Sequence, residues 1–105
     1  MANAVPDLLP AEATRTERQP PYAVILLNDD HNSMEFVVAV LRKVFGYSVE
    51  KCVELMLAAH EKGRVVVWTG PMEVAELKAD QIHSCGGDPA TKKGLPLRVS
   101  VEPMA

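Results

Sequence analysis

The chain has 105 residues, a formal charge of −3 and an isoelectric point near 5.5, and 48% of its residues are hydrophobic. That suffices for one domain with a real core, but such a domain buries only about 60–65% of its unfolded surface and has little material for a deep catalytic cavity. The acidic balance argues against non-specific nucleic-acid binding, which asks for a basic face, nothing resembles a groove-reading module, and no apolar run approaches the ~18–20 residues of a membrane span, so neither nucleic acid nor membrane is an expected partner.

Residues 1–20 contain Pro6, Pro10, Pro20 and a polar run from Glu12 to Gln19 with no apolar period. They read as a flexible tail ahead of a core domain spanning 21–105. No basic segment followed by an apolar core opens the chain, so no signal peptide is expected. Tyr22-Ala23-Val24-Ile25-Leu26-Leu27 is apolar at every position, the pattern of a central strand. Asn32 and Ser33 can both cap a helix, and Glu35 stands three residues after Asn32 in a cap-box-like spacing. Met34, Val37, Val38, Leu41, Val44 and Phe45 then recur at helical spacing until Gly46.

Ser48 restarts a helix carried by Val49, Cys52, Val53, Met56, Leu57 and His60 and ended by Lys62-Gly63. Arg64 to Trp68 is rich in β-branched residues and reads as a second strand. Gly70-Pro71 opens a third helix that runs to about His83. Gly86, Gly87, Pro89 and Gly94 mark a loop from Cys85 to Leu95, after which Leu97, Val99 and Val101 alternate with polar residues as a third strand. The order strand, helix, helix, strand, helix, strand predicts an α+β fold: a small three-stranded sheet with three helices packed over one face.

The candidate chemistry sits where the first strand ends. Asn28, Asp29 and Asp30 are three acceptors in a row, and gathered acceptors suit a donor-rich cation such as a primary ammonium. The same residues also suit an Asx turn that caps the next helix, and spacing alone favours that plainer role. His60 follows Met56 by four residues on one helical face; it serves as a structural residue near the helix end, or completes a polar cluster with Asn28 and Asp29 if its helix packs against the strand end. His31 and His83 read as surface histidines. Met34, Val37 and Met56 read either as core or as the wall of an adaptable apolar pocket.

Cys52 and Cys85 lie far apart with no CxxC spacing, which points to reduced thiols in a cytoplasmic protein rather than to a disulfide framework or zinc site. Hydrolase, phosphate-loop and zinc-protease motifs are missing. Asp30-His31-Asn32 starts like a calcium loop, but Met34 occupies a position that needs an oxygen ligand.

Taken together, Tyr22 to Asp30, Met34-Glu35-Phe36-Val37, Leu55 to His60 with Lys62-Gly63, Glu73 to Lys78 and Pro96-Leu97 resemble the ClpS adaptor family over roughly residues 21–102. The resemblance implies a ClpS-like α/β sandwich and a non-enzymatic, cytoplasmic, monomeric adaptor with no cofactor and no metal. Such an adaptor binds substrate proteins bearing N-degrons, that is, an exposed N-terminal Leu, Phe, Tyr or Trp. It delivers them to the ClpAP protease through the N-terminal domain of the ClpA unfoldase.

Carried over by position, the resemblance implies that Asn28, Asp29 and His60 hold the substrate α-amino group with Asp30 beside them. Met34, Val37, Met56, Ala59 and Leu97 line the side-chain pocket with Asn32 at its rim, and Glu73 and Lys78 face the unfoldase. The tail is the segment that the unfoldase engages. The chain departs from the family pattern at Ala59, where valine is expected, and in Gly86-Gly87-Asp88-Pro89, which lengthens the loop before Pro96. The alternative reading is a small metal-dependent hydrolase using Asp29, Asp30 and His60; a third is a helix-presenting interaction domain without a pocket.

Overall fold

The structure is a computed structural model that describes residues 20–90 and 94–104, so the expected tail, apart from Pro20, lies outside the described residues. Six elements follow one another: β1 (Tyr22–Leu27), α1 (Met34–Phe45), α2 (Val49–Lys62), β2 (Arg64–Gly70), α3 (Met72–Ser84) and β3 (Val99–Pro103). The order is the one expected from the sequence. β2 runs two residues past Trp68, and β3 begins at Val99 rather than at Leu97.

β1 lies between β2 and β3 and is antiparallel to both. Its Val24 and Leu26 point into the hydrophobic core. Ala23 and Ile25 alternate to the other face, yet are only 2% and 4% exposed. Ile25 sits between Val66 and Ser100, and Ala23 between Thr69 and Glu102. The Arg64–Glu102 ion pair, 2.8 Å long, spans β1 from one edge strand to the other. Neighbouring side chains therefore bury the outer face that the apolar run in β1 requires.

The register of β1 against β2 shifts between Val24 and Ile25, leaving Val67 as the extra residue of a bulge. The Tyr47 hydroxyl donates to the Val67 carbonyl at 2.7 Å and satisfies it. Tyr47 stacks on Phe45, and burial pushes its phenol up from its ordinary pKa.

α3 packs on all three strands, α2 on β2 and β1, and α1 bridges α2 and α3. Leu41, Ile82, Val24, Cys52 and Leu97 are the largest fully buried side chains among the described residues. Each large aliphatic among them contributes about 1.5–3 kcal/mol by leaving water.

Candidate functional site

Antiparallel pairing brings the end of β1 to the start of β2, where Leu27 lies opposite Arg64. β2 follows α2 after the single residue Gly63, whose φ of 90° makes the left-handed stop. The Asn28 N–H donates to the Gly63 carbonyl at 3.0 Å, which fixes the strand end against the helix end. His60, one turn before that stop, is thereby brought to Asn28. This is the packing on which the polar-cluster reading of His60 depended.

On the other side Ser33 is the N-cap of α1, its hydroxyl accepting from the Phe36 N–H at 3.1 Å. Asn32, the alternative cap, is used elsewhere. Between these elements opens a cavity of about 280 Å³. Its polar groups come from Asn28, Asp29, Asp30 and His60, with Asn32 and Ser33 also on its wall. Its apolar wall is Leu26 and Leu27 from β1, Met34 and Val37 from α1, and Met56 and Ala59 from α2. Val37, Met56 and Ala59 are buried, whereas Met34 is 50% exposed.

The polar residues divide into those already used and those with capacity to spare. Asp29 Oδ1 accepts from the His31 N–H at 2.8 Å, the Asn32 N–H at 3.1 Å and Asn32 Nδ2 at 3.4 Å. That is the Asx turn the spacing allowed. Arg98 donates to the Asn28 carbonyl at 3.1 Å. Among the described residues, Asp29 Oδ2 and the side chains of Asn28, Asp30 and His60 make no hydrogen bond. The turn and the site are thus compatible, because one carboxylate oxygen suffices for the turn.

Leu97 lies in the core cluster with Val37, Met56 and Ala59 rather than on the open wall of this cavity. It is 1% exposed, packs in the core and borders a separate cleft with His31, His83 and Arg98. His31 is correspondingly not a surface histidine: it is half-buried, and its Nδ1 is buried with no hydrogen-bond partner among the described residues. Glu73 is exposed in the first turn of α3, away from the cavity. Lys78 is half-buried, donates to the Val44 carbonyl at 3.1 Å and lies 5.8 Å from the centre of the Phe45 ring.

Sequence reasoning did not place Leu26, Leu27 or Ser33 on the wall. The two leucines could have been found, since the last residues of a strand flank whatever its end presents. Among the described residues no group of three or more His, Cys, Asp and Glu side chains is placed to hold a metal. The hydrolase reading therefore has no ligand set to stand on.

Fold and cavity together define a small α+β recognition domain, with hydrogen-bond acceptors and an apolar wall in one open site. The family profile of the ATP-dependent Clp protease adaptor protein ClpS matches residues 17–100, and the chain belongs to the ClpS family. It is 41% identical over 97 residues to the Clp protease adapter ClpS of Desulfatibacillum aliphaticivorans, covering 92% of this chain and 89% of that protein. It is 43% identical over 95 residues to the ClpS of a Ruegeria species, covering 90% and 80%. Among solved structures, Agrobacterium tumefaciens ClpS2 bound to L-phenylalaninamide superposes with a TM-score of 0.73 at 37% identity, covering 83% of this chain and all of that one.

Proposed function

We propose that the cavity captures the N-terminal residue of a substrate protein, its free α-amino group and its bulky hydrophobic side chain together, for delivery to a ClpA-type unfoldase. The observation that carries this reading is the pairing, in one cavity, of unspent acceptors with an apolar wall. Asn28, Asp29 and His60 take the ammonium, with Asp30 adding charge beside them. Met34, Val37, Met56 and Ala59 receive the side chain, and Asn32 sits at the rim. The domain recognises and hands over; it does no covalent chemistry.

A chain end is a cation with three N–H donors, whereas an internal peptide nitrogen is uncharged and has at most one. Acceptors converging on an ammonium therefore select termini. Burying a Leu or Phe side chain adds about 1.5–3 kcal/mol. A charge-assisted hydrogen bond adds roughly 1.5–3 kcal/mol more. After association costs, a complex of about micromolar Kd or tighter follows. L-Phenylalaninamide, held by the Agrobacterium relative, has both features: a free amine and a benzyl side chain. On α3, exposed Glu73 is the more available of the two docking residues, since Lys78 is engaged with α1.

The test is fluorescence anisotropy with a peptide bearing free N-terminal Phe or Leu and its N-acetylated twin. The free peptide binds and the acetylated one does not. Equal affinities for the two would overturn the reading.

A further inference from the structure

The described residues of the loop between α3 and β3 do not line the cavity, yet they are tied to the turn that does. Asp88 is 5% exposed, the one charged residue in the buried set among the described residues. Its Oδ2 accepts from the Ser33 N–H at 2.9 Å and its Oδ1 from the Ala90 N–H at 2.9 Å. Its own N–H donates to Asn32 Oδ1 at 2.8 Å. Asn32 Nδ2 in turn reaches the Leu95 carbonyl at 3.2 Å and Asp29 Oδ1 at 3.4 Å. A continuous chain of hydrogen bonds thus runs from the loop at Asp88, through Asn32, to the carboxylate of Asp29.

The loop is built to hold that position. Gly87 bridges to Pro96, and a Cβ on Gly87 would lie 2.6 Å from both the Gly94 carbonyl carbon and the Leu95 nitrogen. Backbone approaches backbone there, so the register of Asp88 relative to Leu95 is fixed by a contact only glycine permits.

We propose that Asp88 is a positioning residue for the amine end of the site: through Asn32 and Ser33 it holds the Asp29 turn where that turn meets the substrate ammonium. This deepens the function proposed above and rests on it. Asp88 touches no substrate; it fixes the start of α1 and the carboxylate-bearing turn from behind. Supporting acceptors of this kind set the geometry of a binding group as much as the group itself does.

The experiment compares two probes on the whole chain, L-phenylalaninamide and its des-amino twin 3-phenylpropanamide, by calorimetry or competition. The ratio of their affinities reads the amine end alone, because both carry the same ring. The wild-type chain prefers the amine; a ratio near one there would sink the proposed function itself. Asp88→Ala keeps the backbone bond to Asn32 but leaves two N–H groups without their carboxylate, and lowers the ratio about tenfold. Asp88→Asn, which retains one acceptor oxygen, lowers it by less, about threefold. Thermal melts ensure that only folded protein is compared. Should Asp88→Ala melt lower yet keep the wild-type ratio, Asp88 stabilises the fold without positioning the site, and this inference is overturned while the function stands. If Asp88→Ala does not fold, the ratio in Asp88→Asn decides: a reduced ratio supports positioning, an unchanged one overturns it.

Discussion

The carboxylate of Asp29 accepts the backbone N–H of Asn32 at 3.1 Å through Oδ1 alone. One side chain thereby closes a turn and still offers a second oxygen, Oδ2, to the cavity it lines. The two uses separate on substitution. Asp29→Asn keeps an oxygen for the turn and removes the charge, so stability stays within about 0.5 kcal/mol while affinity for a free-amine peptide falls at least tenfold. Asp29→Ala loses both and costs about 1–2 kcal/mol of stability in addition. Urea melts and anisotropy on the two variants check this. Equal affinity of Asp29→Asn and wild type would remove the charge of Asp29 from recognition.

The two serine caps provide an internal control. Ser33 and Ser48 each accept an N–H in the first turn of a helix at 3.1 Å. Replacing Ser48 by alanine costs about 1 kcal/mol, and Ser33→Ala at least as much, since the Ser33 hydroxyl also serves the Asp88 carboxylate. Only Ser33 is on the cavity wall, so only Ser33→Ala also weakens peptide binding. Paired melts and titrations distinguish the sites, and equal affinities of the two variants would contradict the assignment.

How legible all this was in the sequence depends on the range of each interaction. Apolar spacing, the serine caps and the stops at Gly46 and Gly63 are local, and they placed all six elements in order. The cavity was half legible. The acceptor row at 28–30 and the helical spacing of Met56 and His60 could be seen, but their meeting depended on β1 pairing with β2 directly after α2. The burial of His31 was not legible because it lies on the irregular path beside the loop after α3, where neither period 2 nor period 3.6 applies; for the same reason the depth of Leu97 could not be read. Asp88 gave no signal, because a carboxylate in a glycine-rich loop looks solvated until Ser33 and Asn32 are folded against it.

Lys78 links the cap of one helix to the side of another. Its ammonium meets the Val44 carbonyl in the last turn of α1 and the face of Phe45, where the helix dipole and the ring quadrupole both favour a cation. Lys78→Met retains the aliphatic stem and loses about 1 kcal/mol. Glu73→Gln, on an exposed side chain, changes stability by less than about 0.5 kcal/mol. If α3 is the docking face, Glu73→Gln weakens binding to the unfoldase N-terminal domain without shifting the melt. A Glu73→Gln variant that docks as wild type would leave that face without support.

The acid limit of stability follows from Asp88 and Glu102. The Ser33 hydroxyl, then the Ala90 and Ser33 amides, hold the Asp88 carboxyl below its ordinary value of 3.8. The Arg64 guanidinium, then Ser100, hold Glu102 below 4.5. A carboxylate whose pKa is depressed by folding contributes its stabilisation in full above the unfolded value and loses it as the pH falls through the folded one. The melting temperature is therefore insensitive to these two groups above about pH 5 and declines below it. Asp88 has the larger effect on the site, since Glu102 and Arg64 are half exposed and their pair is screened by water. Asp88→Asn starts lower at neutral pH but loses less on going from about pH 5 to about pH 3, because it no longer takes up a proton there. Melts of wild type and Asp88→Asn across that range measure the difference. Parallel curves would show that the Asp88 carboxylate is no better stabilised in the folded chain than in the unfolded one.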